Sequence, residues 1–227
     1  MSYDYLFLTN EVLARMNEVS LTSAGFNSAR GFQIQCKNAV NDSINFIDQA
    51  CFYWPFNHVT HTELLEVGKS RYETPLGTKV VDYDTFRVLK SKELNTDGMT
   101  LVCLDYTEYL NKFAVQEETP DTGQLPRRVA RTPDNNFLIY PYADKEYTLR
   151  YELFVRTEAL VAPFDVPRIP EMYRQVIADG ATAFAYQYRG EKDQYAINWQ
   201  RFNKGIEDMR TLLVNRDPYA RSTVIHY

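Results

Sequence analysis

Few residues are of a type to bind a metal or move a proton, and their spacing is poor for either purpose. His58, His61 and Glu63 lie close together in the chain, and a zinc site needs three or four such groups converging on one point. On a strand, positions 58 and 61 face opposite sides, which separates the two imidazoles and leaves polar residues at the start of a strand. Asp82 and Asp84 share one strand face in an extended reading. Two carboxylates so placed suit acid and base chemistry or a divalent cation, and a solvated strand face accounts for them more simply. Arg127, Arg128 and Arg131 form a compact basic cluster beside a polar loop, where they could meet phosphate or an acidic partner; a solvated loop or a salt bridge between subunits is favoured over nucleic-acid binding. Cys36, Cys51 and Cys103 are odd in number, far apart and set among apolar residues, which suits reduced core thiols better than disulfides or a zinc site. A glycine-rich phosphate loop, G-x-S-x-G, H-E-x-x-H and C-x-x-C are all missing, so the strongest local signatures of catalysis are absent. The expectation is no catalytic residue, no metal and no cofactor: not an enzyme, but a building block whose function lies in the surfaces it offers to other chains.

The elements that would position such surfaces follow from periodicity. Thr9 or Asn10 can cap a first helix carrying Val12, Leu13, Met16 and Val19, and a polar break from Ser20 to Ser28 follows it. A longer helix over 29–53 places Phe32, Cys36, Val40, Ile44, Ile47 and Cys51 on one stripe, with Trp54-Pro55 as its stop. Residues 59–67, 72–74, 80–89, 100–104, 136–140 and 147–156 are rich in valine, tyrosine and threonine and read as strands. Tyr147, Leu149, Tyr151, Leu153 and Val155 alternate with Thr148, Arg150, Glu152 and Phe154, the pattern of a strand with one wet face. Asp105 and Glu108 suit a capping box opening a short helix to Asn111. The stretch 117–128 contains Pro120, Gly123 and Pro126 with no apolar period, and reads as a mobile loop or a contact arm.

After Pro170, which suits a first turn, Tyr173, Val176, Ile177, Gly180, Phe184 and Tyr188 form a helical face that Arg189-Gly190 stops. The last helix, over 192–215, carries Tyr195, Trp199, Phe202, Ile206, Met209 and Leu213 at steps of 4, 3, 4, 3 and 4. Such a seam predicts an antiparallel hairpin, with Trp199 in ordinary core and not beside a cofactor. Residues 216–227 end in Thr223-Val224-Ile225-His226-Tyr227, strand-favouring and without a local partner. The fold class is therefore α+β: a helical bundle of residues 1–56 and 157–215, an inserted antiparallel β-rich module of residues 57–156, and an extended tail over 216–227.

Composition agrees with association. Seventeen Tyr and 13 Phe against 9 Gly supply large amphipathic contacts of the kind favoured in cores and interfaces. A net charge of -5 argues against a grip on nucleic acid phosphates, which takes clustered Lys and Arg. No apolar run reaches the roughly 20 residues of a bilayer span. Asp4 stands where a signal peptide would carry Lys or Arg, so neither membrane insertion nor export is expected.

Three groups of residues carry a resemblance. The first is Asn10-Glu11-Val12-Leu13, Asn17-Glu18-Val19, Ala39-Val40-Asn41-Asp42, Trp54-Pro55-Phe56, and Gly68 to Tyr72 with Pro75. The second is Phe137-Leu138-Ile139-Tyr140-Pro141, Ala143-Asp144 and Tyr147 to Phe154. The third runs through Leu160, Asp165, Ile169-Pro170 and Gly180-Ala181 to Phe202 and Ile206. In this order the chain resembles, over nearly its whole length, the head-to-tail adaptors of short-tailed bacteriophages often called tail tubular protein A. It departs from them at Tyr142, where a second proline is common, and in a longer, more acidic 117–128 loop.

The resemblance implies a virion protein of the tail or neck, assembled in the host cytoplasm. Subunits would form a ring, expected in this family to be a dodecamer, between the portal and the tail nozzle protein, and DNA would pass through the bore unbound during genome ejection. Tyr219, Arg221, Val224, Ile225 and Tyr227 of the tail, with Arg127 and Arg128, are the expected partner contacts. A glycan-binding or other accessory tail component is the alternative, and a hydrolase using scattered carboxylates stands behind both.

Overall fold

The computed structural model describes residues 3–89, 98–117 and 123–214. The chain divides into two compact units, Met1–Asn57 with Arg156–Tyr227, and His58–Val155. The helices are α1 (Tyr5–Arg15), α2 (Phe32–Ala50), α3 (Tyr106–Glu117), α4 (Arg174–Arg189) and α5 (Lys192–Leu213). The strands are β1 (His58–Leu65), β2 (Arg71–Tyr72), β3 (Thr78–Leu89), β4 (Gly98–Thr100), β5 (Val102–Leu104), β6 (Arg128–Arg131), β7 (Phe137–Tyr140) and β8 (Tyr147–Val155). The class is α+β, as expected.

In the helical unit α1 begins before Thr9, because Asp4 caps it by accepting from the Phe7 amide at 2.8 Å. Tyr5 and Leu8 thereby join the buried face. Asn10 does not cap the helix and instead ties down the chain that follows it. Its side chain accepts from the Leu21 amide at 2.7 Å and donates to the Leu21 carbonyl at 2.9 Å. The helix stops at Arg15, where Asn17 takes a φ of 56° and the Glu18 amide turns back to the Leu13 carbonyl at 2.8 Å. Asparagine tolerates this left-handed cap, and Val19 is left exposed instead of lying on the helix stripe.

Helix α2 buries Cys36, Val40, Ile44 and Ile47 as the periodicity predicts, but ends at Ala50 and not Tyr53. The fully buried Trp54 folds back and donates its indole N–H to the Ile47 carbonyl at 2.7 Å, which satisfies an orphan group of the last turn. Beside it, the buried Asp48 carboxylate accepts from Asn57 Nδ2 at 2.5 Å and from the Thr157 hydroxyl at 3.2 Å.

Pro170 leads into a short 3-10 turn, Glu171–Tyr173, and then α4; Gly190, at a φ of 77°, makes the left-handed cap that reverses the chain. Helix α5 runs back antiparallel to α4. Phe184 meets Trp199 at 5.9 Å, Gly180 faces Phe202, and Val176 faces Gly205. A methyl group added at Gly180 would collide with Ser43 Oγ and come within 2.6 Å of Phe202 Cε2, so three helices close on a position that only glycine fits.

The β unit is two sheets, not one: β1-β8-β3-β4 and β2-β7-β6-β5. Phe86 and Tyr151 of the first sheet pack against Phe137 of the second at 5.2 and 5.4 Å, with Leu65, Leu149, Val129 and Ile139 in the same core. The strand expected over 100–104 breaks at Leu101, which is buried and donates its amide to the Phe86 carbonyl. One half stays with β3 as β4, and the other joins the second sheet as β5. There β5 runs parallel to β6, a strand too short for its pattern to stand out, in an otherwise antiparallel module.

Helix α3 covers the outer side of the second sheet through Tyr109 and Phe113, against Ala130, Leu138 and Tyr140. It runs to Glu117, beyond the expected Asn111, with Lys112 paired to Glu108 at 2.6 Å. Asp105 accepts from the Thr107 amide instead of Glu108's, so the expected capping box is a shorter Asx turn. Cys36 and Cys51 are buried, whereas Cys103, on the sheet-edge strand β5, is exposed and is not a core thiol.

Candidate functional site

The residues singled out for chemistry do not converge. His58 lies on the outer face of the first sheet with its Nε2 3.1 Å from Glu152 Oε2, while His61 points inward with its ring 5.2 Å from that of Tyr151. The alternation of β1 separates them as its period requires. Asp82 and Asp84 do not sit side by side on a flat strand. The β3–β8 register breaks between Asp82 and Arg87, and Asp82 Oδ1 accepts from the Asp84 amide at 3.2 Å within that bulge. Among the described residues no group of three His, Cys, Asp or Glu is gathered where a metal could bind, and no helix is long and apolar enough to cross a membrane.

The basic cluster is dispersed by strand geometry. Arg128 faces α3, with its guanidinium 4.8 Å from the centroid of Phe113. Arg131, an odd step further along β6, faces the other way and binds Asn135. Arg127 remains exposed beside them, its backbone held between Tyr140 and Val102. Trp199 packs edge-on to Phe46 and Phe184, at 5.1 and 5.9 Å, in ordinary core. Tyr219, Arg221, Val224, Ile225 and Tyr227 lie outside the described residues.

Two surfaces stand out instead. The first, in the helical unit, is the segment between β8 and α4, where Val161, Phe164, Val166 and Met172 are 76, 66, 60 and 74% exposed. It is a held structure: Asp165 Oδ2 accepts from the amides of Val161 and Ala162 at 2.7 Å. The carbonyls of Pro163 and Asp165 accept from Leu6 and Tyr5 at the start of α1, both at 2.9 Å. Exposed apolar side chains held in place in this way are common at contact surfaces. Its prolines and lack of period hide it in the sequence.

The second surface is the outer face of the first sheet, which no helix or strand among the described residues of its own unit covers. Strand register aligns its side chains in rows: His58, Phe154 and Val80; Thr60, Glu152 and Asp82; Thr62, Arg150, Arg87 and Thr100. Glu152 is engaged, accepting from Thr60 Oγ1 at 2.7 Å and lying beside His58.

On the inner face, Glu63 Oε2 and Tyr151 Oη are buried without a hydrogen-bond partner. Burial pushes the Glu63 carboxyl above its ordinary range, against an opposing pull from Lys69. Because its folded value lies above its unfolded one, ionised Glu63 weakens the fold at neutral pH, and the penalty lifts as pH falls through the folded value. Glu63→Gln is therefore expected to melt above the wild type at pH 7, with the gap closing towards about pH 4, near the ordinary glutamate value. A gap of constant size across that range would refute the assignment.

A helical body is interrupted by a two-sheet module, and the apolar and charged side chains that stand out lie on outward surfaces. A family model described as SU10 adaptor protein matches residues 4–225, and the chain belongs to that family. This is a family of phage adaptors, virion components of structural type and not known as enzymes. Comparison with curated proteins finds no match.

Proposed function

We propose that this protein is a head-to-tail adaptor of the tail tubular protein A type, its copies joined side by side in a closed ring between the portal and the tail nozzle. The observation that carries the reading is the hydrogen-bonded segment with exposed Val161, Phe164, Val166 and Met172, in a chain whose residues 4–225 match an adaptor family. A heterologous contact of this kind closes into a ring when its rotation divides the circle, here with about twelve copies. The net charge of -5 supports a bore through which DNA slides, since a wall that bound phosphates tightly would retain the genome. The site of action is the virion neck, reached after assembly in the host cytoplasm.

Contacts to the portal are assigned to Tyr219, Arg221, Val224, Ile225 and Tyr227, strand-favouring residues available to add to a partner's sheet or fill a groove. Arg127, exposed just before β6, and Arg128 beside it are assigned to the rim of a subunit contact. A chain ending at Asn215 is expected to keep its melting temperature and lose portal binding in a pull-down with purified portal. Retention of wild-type binding by that chain would rule out the tail as the portal contact.

A further inference from the structure

Arg87 and Arg150 stand directly opposite one another on β3 and β8, on the outer face of the first sheet. Cα atoms so paired are about 5 Å apart, and like charges at that position repel. Neither guanidinium has a carboxylate partner among the described residues, although six other pairs of a Lys or Arg with a carboxylate are formed there, including Arg15 with Asp179. The flanking members of the row are Thr62 and Thr100, which add hydroxyls and no charge. Two adjacent forks with free donors fit two carboxylates, each held by paired N–H···O bonds.

Among the described residues, the carboxylates in the neighbouring row on this face are not available to them. Glu152 is held by Thr60 and His58, and Asp82 is turned into its own bulge. A nucleic acid backbone fits the face poorly, because the row of Glu152 and Asp82 runs alongside the arginines and would face the next phosphates. The chain itself contains a complementary stretch: Glu117, Glu118 and Asp121 lie within one short acidic run, with no basic residue before Arg127.

We infer that the Arg87–Arg150 pair on the outer face of the first sheet receives the acidic run 117–121 of a second copy of this chain. The inference rests on the ring reading and deepens it by naming a charged contact between neighbours. One subunit then supplies the arginines and the next the carboxylates, a head-to-tail arrangement in which every copy uses both.

Charge exchange tests it. One variant carries Arg87→Glu and Arg150→Glu; the other carries Glu117→Lys, Glu118→Lys and Asp121→Lys. Each is checked for a wild-type melting profile, then assembled with purified portal and imaged by electron microscopy. Neither variant alone is expected to form rings, whereas an equal mixture restores them, because alternating copies again oppose unlike charges at every interface. Rings formed by either folded variant alone would overturn the inference. So would failure of the mixture when a single chain carrying both sets of changes succeeds, since that places the contact within one copy. Loss of DNA retention by the arginine variant with its rings intact would overturn it in favour of phosphate binding. Wild-type chain that forms no ring under the same conditions would instead strike the ring reading itself.

Discussion

Replacing Phe202 with alanine is expected to destabilise the helical unit by about 3–5 kcal/mol, the usual range for deleting a fully buried phenyl ring. Phe202 is completely buried, lies 5.4 Å from Phe46 and 5.7 Å from Trp199, and presses its ring edge on Gly180. The void is costly to close, because α2, α4 and α5 already meet at the glycine and cannot draw much closer there. The loss is read from chemical denaturation together with amide exchange, with protection falling in those three helices. A change below about 1 kcal/mol would mean that the site collapses to fill the void, contrary to the packing described.

Phe86→Ala is expected to have an effect of similar size, about 3–5 kcal/mol, in the β unit. The ring stacks on Tyr151 at 4.4 Å and on Tyr83 at 5.4 Å, and meets Phe137 edge-on at 5.2 Å. It fills the space between the sheets where β3 bulges, so its removal strips one side from the aromatic stack. Phe86→Leu, which retains most of the apolar volume, should recover much of the loss. Denaturation curves for the two variants measure this, and equal effects from both would show that retained apolar volume does not rescue the site, contrary to the packing described.

Much of the helical unit was legible from periodicity. Cys36, Val40, Ile44 and Ile47 on α2, and Phe202, Ile206 and Met209 on α5, fall on buried faces at the spacing a helix dictates. The ends were harder, because Asp4, Asn17 and Trp54 end or begin helices through specific hydrogen bonds that side-chain period does not report. In the β unit the alternation of β8 was plain, whereas the break at Leu101, the short β6 and the bulge after Asp82 depend on which strands become neighbours. That same dependence hid the Arg87–Arg150 pair: Arg150 reads as an ordinary wet-face residue until register places Arg87 opposite. It also made Arg127, Arg128 and Arg131 look like one cluster, when a strand turns adjacent positions to different sides.

The exposed apolar segment around Val161 and Phe164 escaped for a different reason. Its apolar side chains have no period, and their outward placement is set by Asp165 and the start of α1.

Whether copies of this chain join into a closed ring on the portal is tested most directly by electron microscopy of the purified protein after mixing with portal. Closed rings of about twelve subunits stacked on the portal, formed through repeated heterologous contacts, are the predicted result. Portal particles that emerge bare, or that carry isolated copies with no contact between neighbours, would contradict it.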